Sequence, residues 1–183
     1  MELLEQQPPE RLSLRRVALS LGVSHQAPYV HFGSKKTFLA AVAGVGLQRA
    51  AEVASVALAE AGDDPVVRLH RLADEYLRFA RERPNVHDLA FGALVSKSDH
   101  PRLQRAAISY WTLLHDTVAA CQPAGLSEGQ ILRRCAIAWG TLHGIARLWV
   151  QGQIPKSVPG DIDGLIHESI DTLQLGWVAN DFN

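Results

Sequence analysis

Apolar residues recur with helical spacing along most of the chain, and Gly, Ser and Pro interrupt the pattern at intervals. Leu14, Val17, Ala18 and Leu21 stand at i, i+3, i+4 and i+7, so they form one stripe on a helix. No segment shows the sustained alternation of apolar and polar residues that is typical of a half-buried strand. The pattern predicts an all-α fold, in which a small head at the N-terminus precedes a bundle of five or six helices.

Capping signals divide this pattern into separate helices. Ser24, Ser34 and Asp64 are good N-caps, and Ser127 with Gln130 fits a capping box. The predicted helices cover residues 13–21, 25–32, 35–61, 65–84, 85–95, 101–120, 128–151 and 161–179. We assign the head to residues 1–48 and the helical body to residues 49–183.

Charge separates the head from the body. Between Arg11 and Arg49 there are six Lys or Arg and no Asp or Glu, whereas residues 50–183 carry 12 basic and 16 acidic side chains. A basic head on an acidic body indicates a polyanionic partner for the head only. The other interpretation is a short basic patch that arises by chance.

The two short helices of the head, joined by a turn at Gly22, are typical of a helix-turn-helix. In that arrangement the second helix, the recognition helix, enters the major groove of DNA, and we call it the reading helix. Gln26 can pair with adenine, Tyr29 can reach a phosphate, and Lys35 with Lys36 attracts phosphate at the start of the next helix. The candidate DNA contacts are Ser13, Arg15, Ser24, His25, Gln26, Tyr29, His31, Lys35 and Lys36.

The segment "LSLRRVALSLGVSHQAPYVHFGSKKTFLAAVA" resembles the DNA-binding head of the tetracycline-repressor (TetR) family of bacterial regulators. The matching positions are Leu14, Val17, Ala18, Gly22, Val23, Ser24, Tyr29, His31, Phe32, Lys35 and Leu39. The resemblance implies a cytoplasmic homodimer that binds a palindromic double-stranded DNA operator, and a small-molecule effector bound in the C-terminal bundle. It favours a repressor.

The C-terminal part resembles one branch of that family more narrowly. The segments "YLRFARERPNVHDLAF" and "WGTLHGIARLWVQGQIP" are similar to the C-terminal domain named for its Trp, His and Gly (WHG), here Trp139, His143 and Gly144.

The beginning of the chain departs from the family pattern. Members usually carry a full helix before the two described above, whereas here only Met1–Arg11 is available and Pro8-Pro9 interrupts it. We expect a truncated first helix, with residues 2–5 as its last turn, or a true start that lies upstream. Each side chain of the apolar stripe left uncovered would lose about 1.5–3 kcal/mol of burial.

Two further positions depart from an ideal reading helix. Val30 stands where many relatives have a polar residue, so one phosphate contact is expected to be absent. Pro28 falls in the first turn of the reading helix, where its missing N–H removes at most one backbone hydrogen bond.

Aromatic and polar side chains on the body helices suggest an effector cavity, because such cavities combine apolar walls with a few orienting polar groups. The same pattern is typical of a packed core with a satisfied histidine, and the resemblance favours a cavity. The candidate ligand contacts are Tyr76, Phe79, Phe91, Trp111, His115, Trp139, His143 and Arg147.

The last two helices offer broad apolar surfaces. Part of each must face the rest of the body, and the remainder is predicted to pair across a two-fold axis in a four-helix interface. The candidate interface residues are Ile145, Trp149, Leu165, Ile166, Ile170, Leu173 and Trp177.

The sequence offers little support for other classes of protein. It has no His or Cys cluster at metal-ligand spacing, no phosphate-binding loop and no nucleophile motif, so we predict no metal, no cofactor and no enzyme. No apolar run is long enough to predict a membrane span. The alternative function is a small-molecule-binding helical dimer whose defective head no longer binds DNA.

Overall fold

The computed structural model describes residues 4–5 and 7–179, and within this part of the chain it contains α-helices and no strand. The all-α prediction is therefore confirmed. After a 3-10 turn at Pro9–Arg11, the helices are α1 (Leu14–Ser20), α2 (Ala27–Phe32), α3 (Lys35–Glu60), α4 (Pro65–Glu82), α5 (Pro84–Phe91), α6 (Pro101–Ala120), α7 (Glu128–Val150) and α8 (Ile162–Ala179).

The chain divides into two compact units that do not follow one cut in the sequence. The first unit comprises the described residues up to Arg49 together with Arg83–Tyr110, and the second comprises Ala50–Glu82 and the residues from Trp111 onward. The division between residues 48 and 49 into a DNA-binding head and an effector-binding body stays a prediction. Within the first unit, α3 and α6 approach so closely that a Cβ on Gly44 would lie 3.1 Å from the backbone nitrogen of Leu103.

A small apolar core holds the head together. Leu14, Val17 and Ala18 of α1 are buried, as the stripe predicts. Leu21 is 69% exposed, because α1 ends at Ser20 and Gly22, with φ of 66°, turns the chain away. Only a residue without Cβ adopts that backbone conformation readily.

The segment before α1 is packed where the structure describes it. Leu4 and Glu5 are helical, Leu4 is buried, and its carbonyl oxygen accepts a hydrogen bond of 2.5 Å from Nδ2 of Asn85. Glu5 forms an ion pair with Arg83. Residues 2 and 3 of the predicted last turn lie outside the described part. The expected exposure of the apolar stripe is limited to its last member, Leu21.

The second helix begins later than the sequence predicts. The sequence predicts a start at His25 with Ser24 as N-cap, but the helix starts at Ala27, and Gln26 holds the N-cap position without a side-chain hydrogen bond. Pro28 explains the difference. It has no N–H, so the carbonyl oxygen of Ser24 cannot accept a helical bond from it. That oxygen accepts the N–H of Ala27 in a turn, at 3.0 Å.

Three helices, α4, α7 and α8, form the core of the second unit. Each buries one stripe of side chains, represented by Leu72 on α4, Leu142 on α7 and Ile166 on α8. Since each stripe repeats every three or four residues, one face of each helix is filled and the opposite face is left outside.

Polar contacts fix the register of α4 against α8. Nε2 of His70 lies 2.9 Å from Oδ1 of Asp171, and Nε2 of His167 lies 2.6 Å from Oδ1 of Asp74. Arg81 donates a hydrogen bond of 2.7 Å to Asp163. Because the partners run in opposite directions along the two helices, α4 and α8 are antiparallel. The signal in the sequence is a His-x-x-x-Asp pattern on each helix.

By length and composition, α3 could cross a membrane. In the structure it buries Leu39, Ala43, Leu47 and Ala54, which is the behaviour of a core helix of a globular protein.

The predicted caps are present at several helix starts. Oγ of Ser34 accepts the N–H of Thr37 at 3.1 Å, and Oδ1 of Asp64 accepts the N–H of Val66 at 2.8 Å. At α7 the capping box of Ser127 and Gln130 is complete in both directions.

The capping box gives a direct test of local stability. Ser127→Ala should lower the free energy of unfolding by about 1 kcal/mol, because one backbone N–H at the start of α7 loses its partner. Circular dichroism at increasing urea concentrations gives the midpoint of unfolding. Ser55→Ala, in the exposed middle of α3, is the matched control and should leave the midpoint unchanged or slightly raised. Equal midpoints for the two variants would contradict the role of the cap.

Candidate nucleic-acid interface

The turn before α2 and α2 itself are anchored by their apolar side. Pro28 is buried, and Phe32 is half-buried with its ring 5.0 Å from that of Phe38 in an edge-to-face contact. This anchoring turns the other residues of α2 outward.

The candidate DNA contacts of α2 and of the turn before it lie together on this outward side. All five are exposed, they occupy consecutive turns of one short segment, and no described acidic side chain falls between Arg11 and Arg49. These residues are Ser24, His25, Gln26, Tyr29 and His31. They present a hydroxyl group, two imidazoles, an amide and a phenol, which are the donors and acceptors that base edges and phosphates require.

The candidate phosphate contacts differ in their surroundings. Arg15 and Lys36 are exposed, whereas Nζ of Lys35 donates a hydrogen bond of 2.7 Å to the carbonyl oxygen of Glu10. The hydroxyl of Ser13 accepts the N–H of Arg16 at 3.5 Å and caps α1. Lys35 and Ser13 therefore stabilise the fold of the head. Of the two lysines at the start of α3, Lys36 is the one more available for a phosphate.

Two contributions to this surface are not among the candidate contacts. Arg11, Arg16 and Arg49 are also exposed in the first unit and add to its positive charge. Val30, expected to mark an absent contact, is the most exposed of the described large apolar side chains, at 85%. The helical period could have indicated this, since Val30 lies two residues from buried Pro28.

Three of the candidate ligand residues meet in the second unit. The hydroxyl of Tyr76 lies 2.7 Å from Nδ1 of His143, and the His143 ring stacks on that of Trp139 with the ring centres 5.7 Å apart. The rings of Tyr76 and Trp139 meet edge to face at 5.4 Å. Tyr76 is buried, and the other two are half-buried. We call this set the aromatic cluster.

The other candidate ligand residues differ in their burial and in their contacts. Phe79 is buried, and Trp111 and Arg147 are half-buried. His115 pairs with Asp116 and Glu128, and its pKa is raised, first by the hydrogen bond to Asp116. Phe91 belongs to the first unit, where it contacts His87 and Lys97. Helical periodicity places residues on a face but does not tell which faces meet.

An open groove of about 560 Å³ runs along α3 and α4 in the second unit. It is lined by Glu52, Val53, Val56, Ala57, Glu60, Arg71, Glu75 and Arg78. At its edge the buried carboxylate of Glu75 is held by Arg71 and Arg78. None of the candidate ligand residues lines this groove.

The candidate interface residues lie mostly on the inner faces of α7 and α8. Ile166, Ile170 and Trp177 are buried by their own chain, which leaves them no surface for a second copy. Trp149 is half-buried under the guanidinium of Arg81, 5.5 Å from its ring centre. The remaining candidates, Ile145, Leu165 and Leu173, are half-buried. The reason is physical: choosing positions by apolar periodicity selects the side of a helix that fills the core.

No group of three or more His, Cys, Asp or Glu side chains is placed to hold a metal ion within the described part of the chain. The two His–Asp contacts between α4 and α8 are accounted for as contacts between helices.

Comparisons with known proteins agree with this geometry. The model described as "Bacterial regulatory proteins, tetR family" matches residues 1–42, and the one described as "Tetracyclin repressor-like, C-terminal domain" matches residues 69–173. The chain therefore belongs to the TetR family, whose regulators are DNA-binding proteins and not enzymes. Among curated proteins, none matches at a significant level.

Solved structures show the same fold. A protein of unknown function from Rhodococcus sp. RHA1 is 29% identical, with a TM-score of 0.75 over 91% of this chain and 84% of its own. The TetR family transcriptional regulator PfmR from Thermus thermophilus is 17% identical, with a TM-score of 0.64 over 95% of this chain and 93% of its own.

The aromatic cluster gives a second test. Tyr76→Phe should lower the free energy of unfolding by about 1–3 kcal/mol, because Nδ1 of His143 loses this hydrogen-bond partner in a part-buried place. Thermal unfolding measures the loss. Tyr29→Phe removes the same hydroxyl from an exposed tyrosine and should leave the midpoint unchanged. If Tyr76→Phe is as stable as the control, the contact is not a stabilising one.

Proposed function

We propose that this protein is a ligand-responsive transcriptional repressor that binds a palindromic DNA operator as a homodimer. The observation that supports it most is the head: exposed polar side chains surround a short reading helix, α2, in a region that carries cations and no acidic residue from Arg11 to Arg49. Such a regulator acts in the bacterial cytoplasm, where its operator is.

In the proposed complex α2 enters the major groove. Gln26 reads an adenine through its amide, which can pair with N6 and N7, while Ser24 and His25 contact neighbouring base edges. Tyr29 and Lys36 contact phosphates on either side and set the depth and register of the helix. Arg15 lies on α1, the helix that crosses the backbone in this motif.

The effector is proposed to bind in the second unit. The half-buried rings of Trp139 and His143 supply faces for a small molecule, and the hydrogen bond from Tyr76 fixes the orientation of the imidazole beside them. The narrower assignment to a WHG-type domain rests on Trp139, His143 and Gly144 of α7.

Control of DNA binding is proposed to pass along α3. This helix is continuous and contributes residues to both units, with Lys36 in its first turn and Glu60 at its end. An effector that favours one conformation of the second unit shifts the population of that conformation, and with it the spacing of the two reading helices in the dimer.

The dimer is proposed to form through the outward faces of α7 and α8. With 3.6 residues per turn, Ile137, Gly144 and Leu148 lie opposite the buried stripe of α7, and Leu175 lies opposite that of α8. A Cβ on Gly144 would meet nothing within 4 Å, so a partner helix can approach there. Two copies of these faces would make the four-helix interface of a two-fold dimer.

The DNA-binding proposal is tested by titrating fragments of the neighbouring intergenic DNA over a series of salt concentrations. Lys36→Ala should weaken binding equally for every sequence, and should reduce the slope of log affinity against log salt by about one for each head. Lys156→Ala, in an exposed loop of the second unit, is the matched control and should change neither quantity. Absence of salt-dependent binding to any fragment would favour the alternative of an effector-binding dimer with an inactive head.

The dimer proposal is tested on a pair of isoleucines with similar exposure. Ile137→Arg, on the outward face of α7, should give monomers in light scattering, because like charges from the two copies cannot be buried at a two-fold interface without partners. Ile108→Arg, on α6 in the first unit, should keep the mass of a dimer; the two side chains are 52% and 57% exposed. A persistent dimer in Ile137→Arg places the interface elsewhere.

A further inference from the structure

Val30 is an exposed apolar residue in a position that the fold does not explain. It is 85% exposed on α2, a helix of six residues, while its neighbours Pro28 and Phe32 are buried and half-buried. A valine in this place contributes nothing to the core of the head. Its flanking residues, Tyr29 and His31, are polar at their tips.

The backbone fixes the direction in which Val30 points. Gln26 has helical dihedral angles, φ −83° and ψ −26°, and its carbonyl oxygen accepts the N–H of Val30 at 3.0 Å. The two residues are therefore one helical turn apart on the same ridge. At 3.6 residues per turn this ridge lies opposite Pro28 and Phe32, the residues that anchor α2.

A ridge opposite the anchored side is the part of a reading helix that lies deepest in the major groove. Among the groups that base pairs present there, the apolar one is the C5-methyl of thymine, and apolar side chains contact it. Gln26 on the same ridge has the amide that pairs with adenine. The ridge thus combines an apolar group and an amide at the spacing of one helical turn.

We propose that Val30 is a specificity-determining residue that contacts the C5-methyl of a thymine in each half of the operator. The assignment rests on the proposed DNA-binding function and adds one base contact to those proposed for Gln26, Ser24 and His25. Val30 thereby reads the base sequence. Where many relatives have a polar residue that contacts a DNA phosphate, Val30 contacts a base.

The test uses the full chain and its selected operator. A pool of random duplexes is enriched for binding to the unmodified protein, and each thymine of the selected site is replaced in turn by deoxyuridine, which lacks only the methyl. Replacement of one thymine in each half-site should weaken binding about fourfold per half-site, the factor that corresponds to one buried methyl group. Replacement at other thymines should leave the affinity unchanged.

The variant Val30→Ala identifies the side chain responsible. It should bind the thymine operator more weakly than the unmodified protein and should bind thymine and deoxyuridine operators equally. Leu19→Ala is the matched control, because Leu19 is a similarly exposed apolar residue, at 80%, on α1. It should keep the full sensitivity to deoxyuridine. Circular dichroism checks that both variants are folded.

The outcomes separate this assignment from the proposed function. If the protein selects an operator but every deoxyuridine substitution is neutral, or if Val30→Ala remains sensitive to deoxyuridine, the assignment to Val30 is overturned and DNA binding stands. If no duplex is enriched, the DNA-binding function is overturned and the assignment falls with it.

Discussion

A helix in a protein of this size can bury one face. Which face is buried determines how the helices pack and which residues remain on the surface. On α4, α7 and α8 the buried stripes meet and fill the second unit, represented by Leu72, Leu142 and Ile166. On α2 the buried side is Pro28, supported by half-buried Phe32. What each helix leaves outside is then fixed by its 3.6-residue period. The surfaces proposed for DNA and for a second copy are the complements of these buried stripes.

Several polar groups on the packed sides of the helices have partners within the chain. The Glu75 carboxylate is held by two arginines, the Tyr76 hydroxyl by His143, and two histidines of α4 and α8 by aspartates across the helix pair. Leaving the buried Glu75 carboxylate or the buried Tyr76 hydroxyl without a partner would cost free energy comparable to several buried methyl groups. These contacts fix the register of helices that apolar stripes alone would allow to slide.

The sequence predicts the helices and their starts well, because capping chemistry and apolar period are local. It fails at α2, where Pro28 removes a backbone donor and moves the start from His25 to Ala27. Candidate DNA contacts can be proposed from the sequence because they follow one another along the chain. The three members of the aromatic cluster are all among the residues that the sequence predicts, but the contact between Tyr76 and His143 depends on which faces of α4 and α7 meet. The grouping of residues 83–110 with the head likewise depends on a close approach at Gly44 that no local pattern encodes.

Two kinds of side chain in the head contribute to the proposed DNA binding: cations and residues that reach base edges. Its cations attract any DNA, since phosphates carry the same charge whatever the sequence. Preference for one site must then come from the few side chains that reach base edges, and α2, with six residues, offers few. A polar residue in place of Val30 would add one more non-selective contact. Valine cannot make that contact. On the proposed assignment it occupies the most outward position of the helix and distinguishes thymine from the other bases.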